Sequence, residues 1–288
     1  MRAYRCSFIH CSNYVFSTWR CSQVNVLDFR DVSILIQRKS ILRNLSFEIP
    51  KGQFVGLIGP NGSGKSTLLR TMSGWLPRAK GRISLFGQPL ESYKRRDIAR
   101  LVSFVPQDTV VDFDFSVRDI VMMGRHPYMS RFKEATREDL LAAKRAMSTT
   151  EISHLANRAV TSLSGGQRQM TFIAKALAQT PKLLLLDEPI SALDIRHQLH
   201  TLELVRQLTS DGLTAVAALH DLNLAARYCD LLILLHQGQI HGVGLPKDVL
   251  TPSSILEVYE VHVELQQDPW LGSLSITTIN TEEHFHNS

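Results

Sequence analysis

The octapeptide Gly59-Pro60-Asn61-Gly62-Ser63-Gly64-Lys65-Ser66 constrains this chain more than any other stretch. It fits G-x-x-x-x-G-K-[ST], and Thr67 follows it. A short apolar run at 53–58 reads as the strand before it, and a helical stretch runs from 65 to about 73. Glycines at these positions let the backbone wrap closely, so that its N–H groups point at phosphate oxygens. The start of the following helix adds favourable partial charge. Lys65 is placed to reach the β- and γ-phosphates, and Ser66 to ligate Mg²⁺. An idle glycine-rich turn is the bland alternative, and the strand and helix on either side argue against it. The motif predicts a site for a nucleoside triphosphate.

A second group belongs with the first. The apolar run 183–186 ends on Asp187-Glu188. A buried strand delivers such a pair to the carboxyl edge of a sheet, where ligands bind in open α/β folds. Asp187 suits the Mg²⁺ shell, and Glu188 suits polarisation of a water as general base. Alone, an Asp-Glu after a strand is more often a surface turn. Beside the phosphate loop it reads as functional.

The remaining pattern is that of an α/β protein. Strand-like runs at 82–86, 101–105, 214–219 and 231–235 alternate with helical faces. Met170, Ile173, Ala174, Leu177 and Ala178 share one such face, and Leu222, Ala225, Ala226 and Cys229 another. Alternation of this kind predicts a mostly parallel sheet. Few strand formers occur at about 108–160, which reads as an inserted helical subdomain. In a chain of 288 residues, 44% hydrophobic and 20% charged residues exclude a disordered protein. Sixteen glycines and 11 prolines exclude collagen-like and low-complexity classes.

Residues 1–25 show neither a period of two nor of 3.6 and lack the continuous apolar core of a secretory signal. They read as a poorly ordered or mis-annotated extension. No stretch approaches the ~18–20 apolar residues that span a bilayer. Cys6, Cys11, Cys21 and Cys229 show no CxxC spacing, so neither a zinc site nor a disulfide framework is indicated. Cys229 reads as a packed core thiol. The net charge of +5 is scattered, as in Arg78-Lys80-Arg82 and Lys94-Arg95-Arg96. No basic stripe with interleaved aromatics appears, so nucleic acid is not an expected partner.

Leu163-Ser164-Gly165-Gly166-Gln167, taken with the phosphate loop and Asp187-Glu188, resembles the signature of ATP-binding cassette (ABC) ATPases. Order and spacing agree along the chain. Gln107 looks like the Q-loop glutamine, Ser191-Ala192-Leu193-Asp194 like the D-loop, and His220 like the switch histidine. Each has a bland reading alone; Asp194 could be a plain helix cap. The resemblance covers about 26–259 and implies a RecA-like P-loop NTPase core with an inserted helical subdomain. The expected division is a 26–265 ATPase domain and a 266–288 tail.

The family mechanism follows as an implication. Two cassettes pack head to tail as a homodimer, with ATP and Mg²⁺ between the phosphate loop of one and the signature of the other. Ser164 and Gly166 then contact the γ-phosphate, with Gly165, Gln167 and Asp194 beside them. Ser66, Gln107 and Asp187 serve the metal. Glu188 activates water, His220 stabilises the γ-phosphate, and Gln107 couples the nucleotide to the partner. Two departures stand out. The aromatic that stacks on adenine has its place near Ile36, and the threonine after Asp-Glu-Pro is Ile190.

Closer similarity lies in 116–128, where Arg125-His126-Pro127-Tyr128 falls, and in 191–197, 219–230 and 246–250. These segments resemble ATPases of iron–siderophore, haem and vitamin B12 importers. The resemblance implies a cassette on the cytoplasmic face of the membrane, serving two copies of a polytopic permease and, indirectly, a substrate-binding protein. Arg125-His126-Pro127-Tyr128 is expected to face the permease, since interfaces are enriched in Arg and Tyr. An importer of manganese or zinc is the nearest alternative. A soluble cassette ATPase would carry a coiled-coil insertion or a second cassette, and neither is visible. Metal binding by His197 and His200, or by His284 and His286, is the weaker reading of those histidines.

Overall fold

The computed structural model describes residues 25–109, 113–129 and 134–279. The expectations for residues 1–24, for Cys6, Cys11 and Cys21, and for His284 and His286 lie outside them.

Two strands that the sequence reading did not resolve open the fold. β1 (Asn25–Ile36) and β2 (Lys39–Pro50) form an antiparallel hairpin. Its two-residue turn has Gln37 and Arg38 both at positive φ, 48° and 64°, which matches the twist of the flanking strands. Beyond β3 (Phe54–Ile58) and α1 (Lys65–Met72), β4 (Lys80–Leu85) and β5 (Gln88–Pro89) complete a sheet of order β2-β1-β4-β5.

The chain continues through α2 (Arg95–Leu101), β6 (Val102–Val105), α3 (Val117–Met123), α4 (Arg137–Thr149) and α5 (Gly165–Ala178). Then come β7 (Leu183–Leu186), α6 (Ile195–Ser210), β8 (Thr214–Ala218), α7 (Leu222–Tyr228), β9 (Leu231–His236) and β10 (Gln239–Gly244). The second sheet runs β10-β9-β3-β8-β7-β6 and is parallel except for β10. Both faces of its inner strands are buried, and successive residues there alternate between two cores. Phe54, Ile58, Leu184, Leu186, Ala215 and Ala217 face the helical core. Val55, Leu57, Leu183, Leu185, Val216 and Ala218 face α1 and the antiparallel sheet. Continuous apolar strands such as Leu183–Leu186 are what a doubly covered parallel sheet demands.

Parallel strands bring their carboxyl ends to one edge. Adjacent β6, β7, β8 and β3 therefore deliver Gln107, Asp187-Glu188, His220 and the 59–66 loop side by side.

Within 108–160 the described helices are α3, α4 and short 3₁₀ turns. Both helices pack on α5, and Val117, Ile120, Ala143, Ala146, Met170 and Ile173 share one core. Ser116, Thr136 and Ser164 each start their helix with a reciprocal capping box. The surface expected at Arg125 and Tyr128 is corrected here. Arg125 is 2% exposed, and its Nε donates to Asp139 Oδ1 at 2.9 Å while Nη1 donates to Ala178 O at 2.8 Å. Tyr128 lies 3.9 Å under that guanidinium and donates its hydroxyl to Gln179 O. The fold uses both side chains to join α3, α4 and the end of α5. Only His126 of the four residues is exposed.

After α8 (Pro246–Val249) and α9 (Pro252–Tyr259), β11 (Val263–Gln267) and β12 (Leu274–Thr278) make a closing hairpin. The boundary expected at 265 falls inside β11. Asn223 of α7 ties the hairpin down, donating to Ile276 O and accepting from Ile276 N. No helix among the described residues is long and apolar enough to cross a membrane.

Candidate functional site

The phosphate loop is shaped by backbone that only glycine adopts without strain. Gly59 has φ 145°, and a side chain there would overlap the carbonyl of Leu235. Gly64, at φ 105°, precedes α1 without any side-chain cap. The first N–H groups of α1 are therefore left for a ligand. A groove of about 220 Å³ opens there, lined by Asn61, Gly62, Gly64, Lys65, Ser66, Thr67, Glu188 and Ile41.

Lys65 is 5% exposed, and its Nζ donates to Gly59 O at 2.7 Å and Pro60 O at 3.1 Å. Burial lowers its pKa, against the pull of Glu188 and Asp187. Ser66 Oγ donates to Asp187 Oδ1 at 2.9 Å. Asp187 is 2% exposed, and burial, reinforced by Glu188, pushes its carboxyl up despite the Ser66 hydrogen bond. Glu188 takes a left-handed backbone, φ 49°, at the strand end. Its Oε2 accepts from Gln107 Nε2 at 2.7 Å, and its Oε1 lies 2.6 Å from His220 Nε2. Lys65, Ser66, Asp187, Glu188, Gln107 and His220 thus form the first group.

A second group stands at the starts of α5 and α6. Ser164 Oγ accepts from Gln167 N, and Gln167 Oε1 accepts from Ser164 N. Asp194 caps α6, accepting from His197 N at 2.9 Å, and pairs with His197 Nδ1 at 2.7 Å. The imidazole lies against Gly166, where any Cβ would overlap it; Gly165 meets no such neighbour. No hydrogen bond joins the two groups among the described residues.

Ile36 is exposed at the end of β1, whereas Ile41 of β2 lines the groove. Ile41 escaped the sequence reading because β2 itself did. Ile190 is buried. His197 is engaged by Asp194, and no group of three or more His, Cys, Asp or Glu among the described residues is suited to a metal ion. The signal that would have found His197 is Asp194-x-x-His197 at a helix start.

Two oxygen donors in contact, Ser66 Oγ and Asp187 Oδ1, one of them a buried carboxylate, fit a hard cation such as Mg²⁺.

Comparison with known proteins bears on the family and the fold. The family profile described as ABC transporter matches residues 42–191. The chain is 42% identical over 254 residues to the cobalamin import ATP-binding protein of Halobacterium salinarum, covering 88% of this chain and 63% of that protein. It is also 42% identical over 235 residues to the ferric enterobactin transport ATP-binding protein of Escherichia coli, covering 81% of this chain and 87% of that one. A solved ABC transporter chain described as metal-chelate type, in an inward-facing conformation, superposes with a TM-score of 0.79 at 31% identity. That superposition covers 90% of this chain and 99% of the other. The chain is therefore a member of the ABC transporter family, and its fold is that of an ABC nucleotide-binding domain.

Proposed function

We propose that this chain is the ATP-hydrolysing subunit of an ABC importer. It energises uptake of an iron(III)–siderophore, haem or cobalamin through a membrane permease. The observation that carries the catalytic part is Glu188, held between Gln107 and His220 at the mouth of the phosphate groove. The cargo class rests on relatives whose names give cobalamin and ferric enterobactin, and on the likeness to a metal-chelate transporter. Haem belongs to the same resemblance along 116–128, 191–197 and 219–230.

In this reading Lys65 and the α1 N-terminus bind the phosphates, the third N–H of Nζ reaching a phosphate oxygen beside the Gly59 and Pro60 carbonyls. Ser66 and Asp187, with Gln107 beside them, hold Mg²⁺, which supplies charge neutralisation on the phosphate oxygens. Glu188 accepts the proton of the attacking water, and His220 donates to the γ-phosphate, so that ADP and inorganic phosphate leave. Ile41 offers an aliphatic wall beside the loop where no aromatic is present. Two chains pack head to tail, each lending Ser164–Gln167 and Asp194 to the other's nucleotide. They sit peripherally on the cytoplasmic face of the membrane under two permease subunits, which receive cargo from a binding protein.

The test is co-purification of the tagged chain from native membranes under mild detergent, with phosphate release measured on the product. Recovery of a polytopic permease with ATP turnover supports the importer. Recovery of soluble partners alone overturns it.

A further inference from the structure

His197 has no role in the site as described so far, yet it occupies the corner where two functional loops meet. It is the third residue of α6, and Asp194, the cap of that helix, holds it twice through one oxygen. A carboxylate only accepts, so Nδ1 carries the proton of the 2.7 Å contact and the ring cannot turn freely. The ring face then lies on Gly166, the second residue of α5. Its Cδ2, Cγ and Nε2 are the atoms that any side chain at 166 would meet first. The glycine is thus required by the imidazole, independently of any nucleotide. Beside it, Ile195 is 75% exposed, an apolar side chain left at the same corner.

We infer that His197 is a positioning residue. It fixes the Ser164–Gln167 loop against the Asp194 loop, so that one chain presents both to the partner's nucleotide as a single rigid surface. This rests on the head-to-tail pairing proposed above. Pre-set geometry of this kind acts on the paired state and leaves nucleotide binding to a lone phosphate loop unchanged.

The experiment uses the full chain in two backgrounds. In Glu188→Gln, ATP-driven pairing is followed by analytical ultracentrifugation; with Glu188 intact, kcat and KM are measured. His197→Leu removes the N–H to Asp194, and His197→Asn keeps a donor at the Nδ1 position but loses the ring atoms Cδ2 and Nε2 that lie on Gly166. Where His197→Leu does not fold, His197→Gln, whose amide cannot reproduce the Nδ1 contact, takes its place. The expected result is ATP binding by the single chain within about twofold of wild type, with pairing weakened and kcat lowered about tenfold in His197→Leu and in His197→Asn alike. Unchanged pairing and kcat in His197→Leu overturn the inference alone, as does wild-type behaviour of His197→Asn, which would leave the ring on Gly166 without a part. Absence of ATP-driven pairing in Glu188→Gln itself overturns the paired reading and the inference with it.

Discussion

Glu188 and His220 meet at 2.6 Å, on a carboxylate whose other oxygen already accepts from Gln107. Both oxygens of the proposed general base are therefore engaged by the two groups meant for metal and γ-phosphate. Each oxygen keeps a second lone pair, so a water can be accepted beside Gln107 and His220. Glu188→Gln keeps the shape and loses the proton acceptor. Phosphate release is expected to fall about 10²–10⁴-fold, the scale of a lost general base, with ATP still bound. Turnover equal to wild type would remove Glu188 from that role.

Lys65→Met tests the phosphate loop from its other side. The buried ammonium donates to two loop carbonyls and keeps a third N–H for a phosphate oxygen, a charge-assisted contact worth about 1.5–3 kcal/mol. ATP affinity by titration calorimetry should weaken at least tenfold. Wild-type affinity would place the phosphates elsewhere.

Arg125→Met probes the junction of the helical subdomain. Asp139, 4% exposed, would keep Thr136 but lose its cation, and breaking a buried pair from one side costs about 3–5 kcal/mol. Thermal unfolding should drop accordingly, and Asp139→Leu added to Arg125→Met should return part of the loss. The acid limb gives a second reading. Burial pushes the Asp139 carboxyl up, but Thr136 and Arg125 outweigh it and hold it below the usual carboxylate range. A depressed carboxyl contributes stability that is complete above its unfolded pKa and lost as pH falls through the folded one. Acid unfolding of Arg125→Met should therefore begin at higher pH than in wild type.

Cys229 is buried, with its sulfur against Gly56, and burial pushes its thiol far above the ordinary range. Iodoacetamide at neutral pH should leave the 229 peptide unmodified in the folded chain and label it in denaturant. Rapid labelling of the folded protein would contradict the packing.

What the sequence made legible follows from which forces act locally. The phosphate loop, Asp187-Glu188 and the strands between them were readable, because doubly buried strands are apolar throughout and the loop needs glycine by conformation. The β1–β2 hairpin was not. Asp31, at φ 51°, interrupts the pairing between Phe29 and Val32, so Val26, Leu27, Phe29 and Val32 lose the period of two that marks a strand. Arg125 and Tyr128 misled for another reason. Residue type says that a guanidinium and a phenol seek partners, and only the packing of α3 on α5 decides that those partners lie within the chain. Metal binding by His197 with His200 was already the weaker reading, and what the sequence did not show is that Asp194 takes up the ring.

Lys65 gives the phosphate loop a last property. A loop already clenched around its own ammonium group, with Gly59 and Pro60 as acceptors, has its shape before any nucleotide arrives. The ammonium has a third N–H beyond these two, so a phosphate oxygen can be taken on with the loop's own contacts kept. Tight binding in such a pocket needs little sacrifice of chain freedom, and a nucleotide released after hydrolysis leaves behind a loop ready for the next.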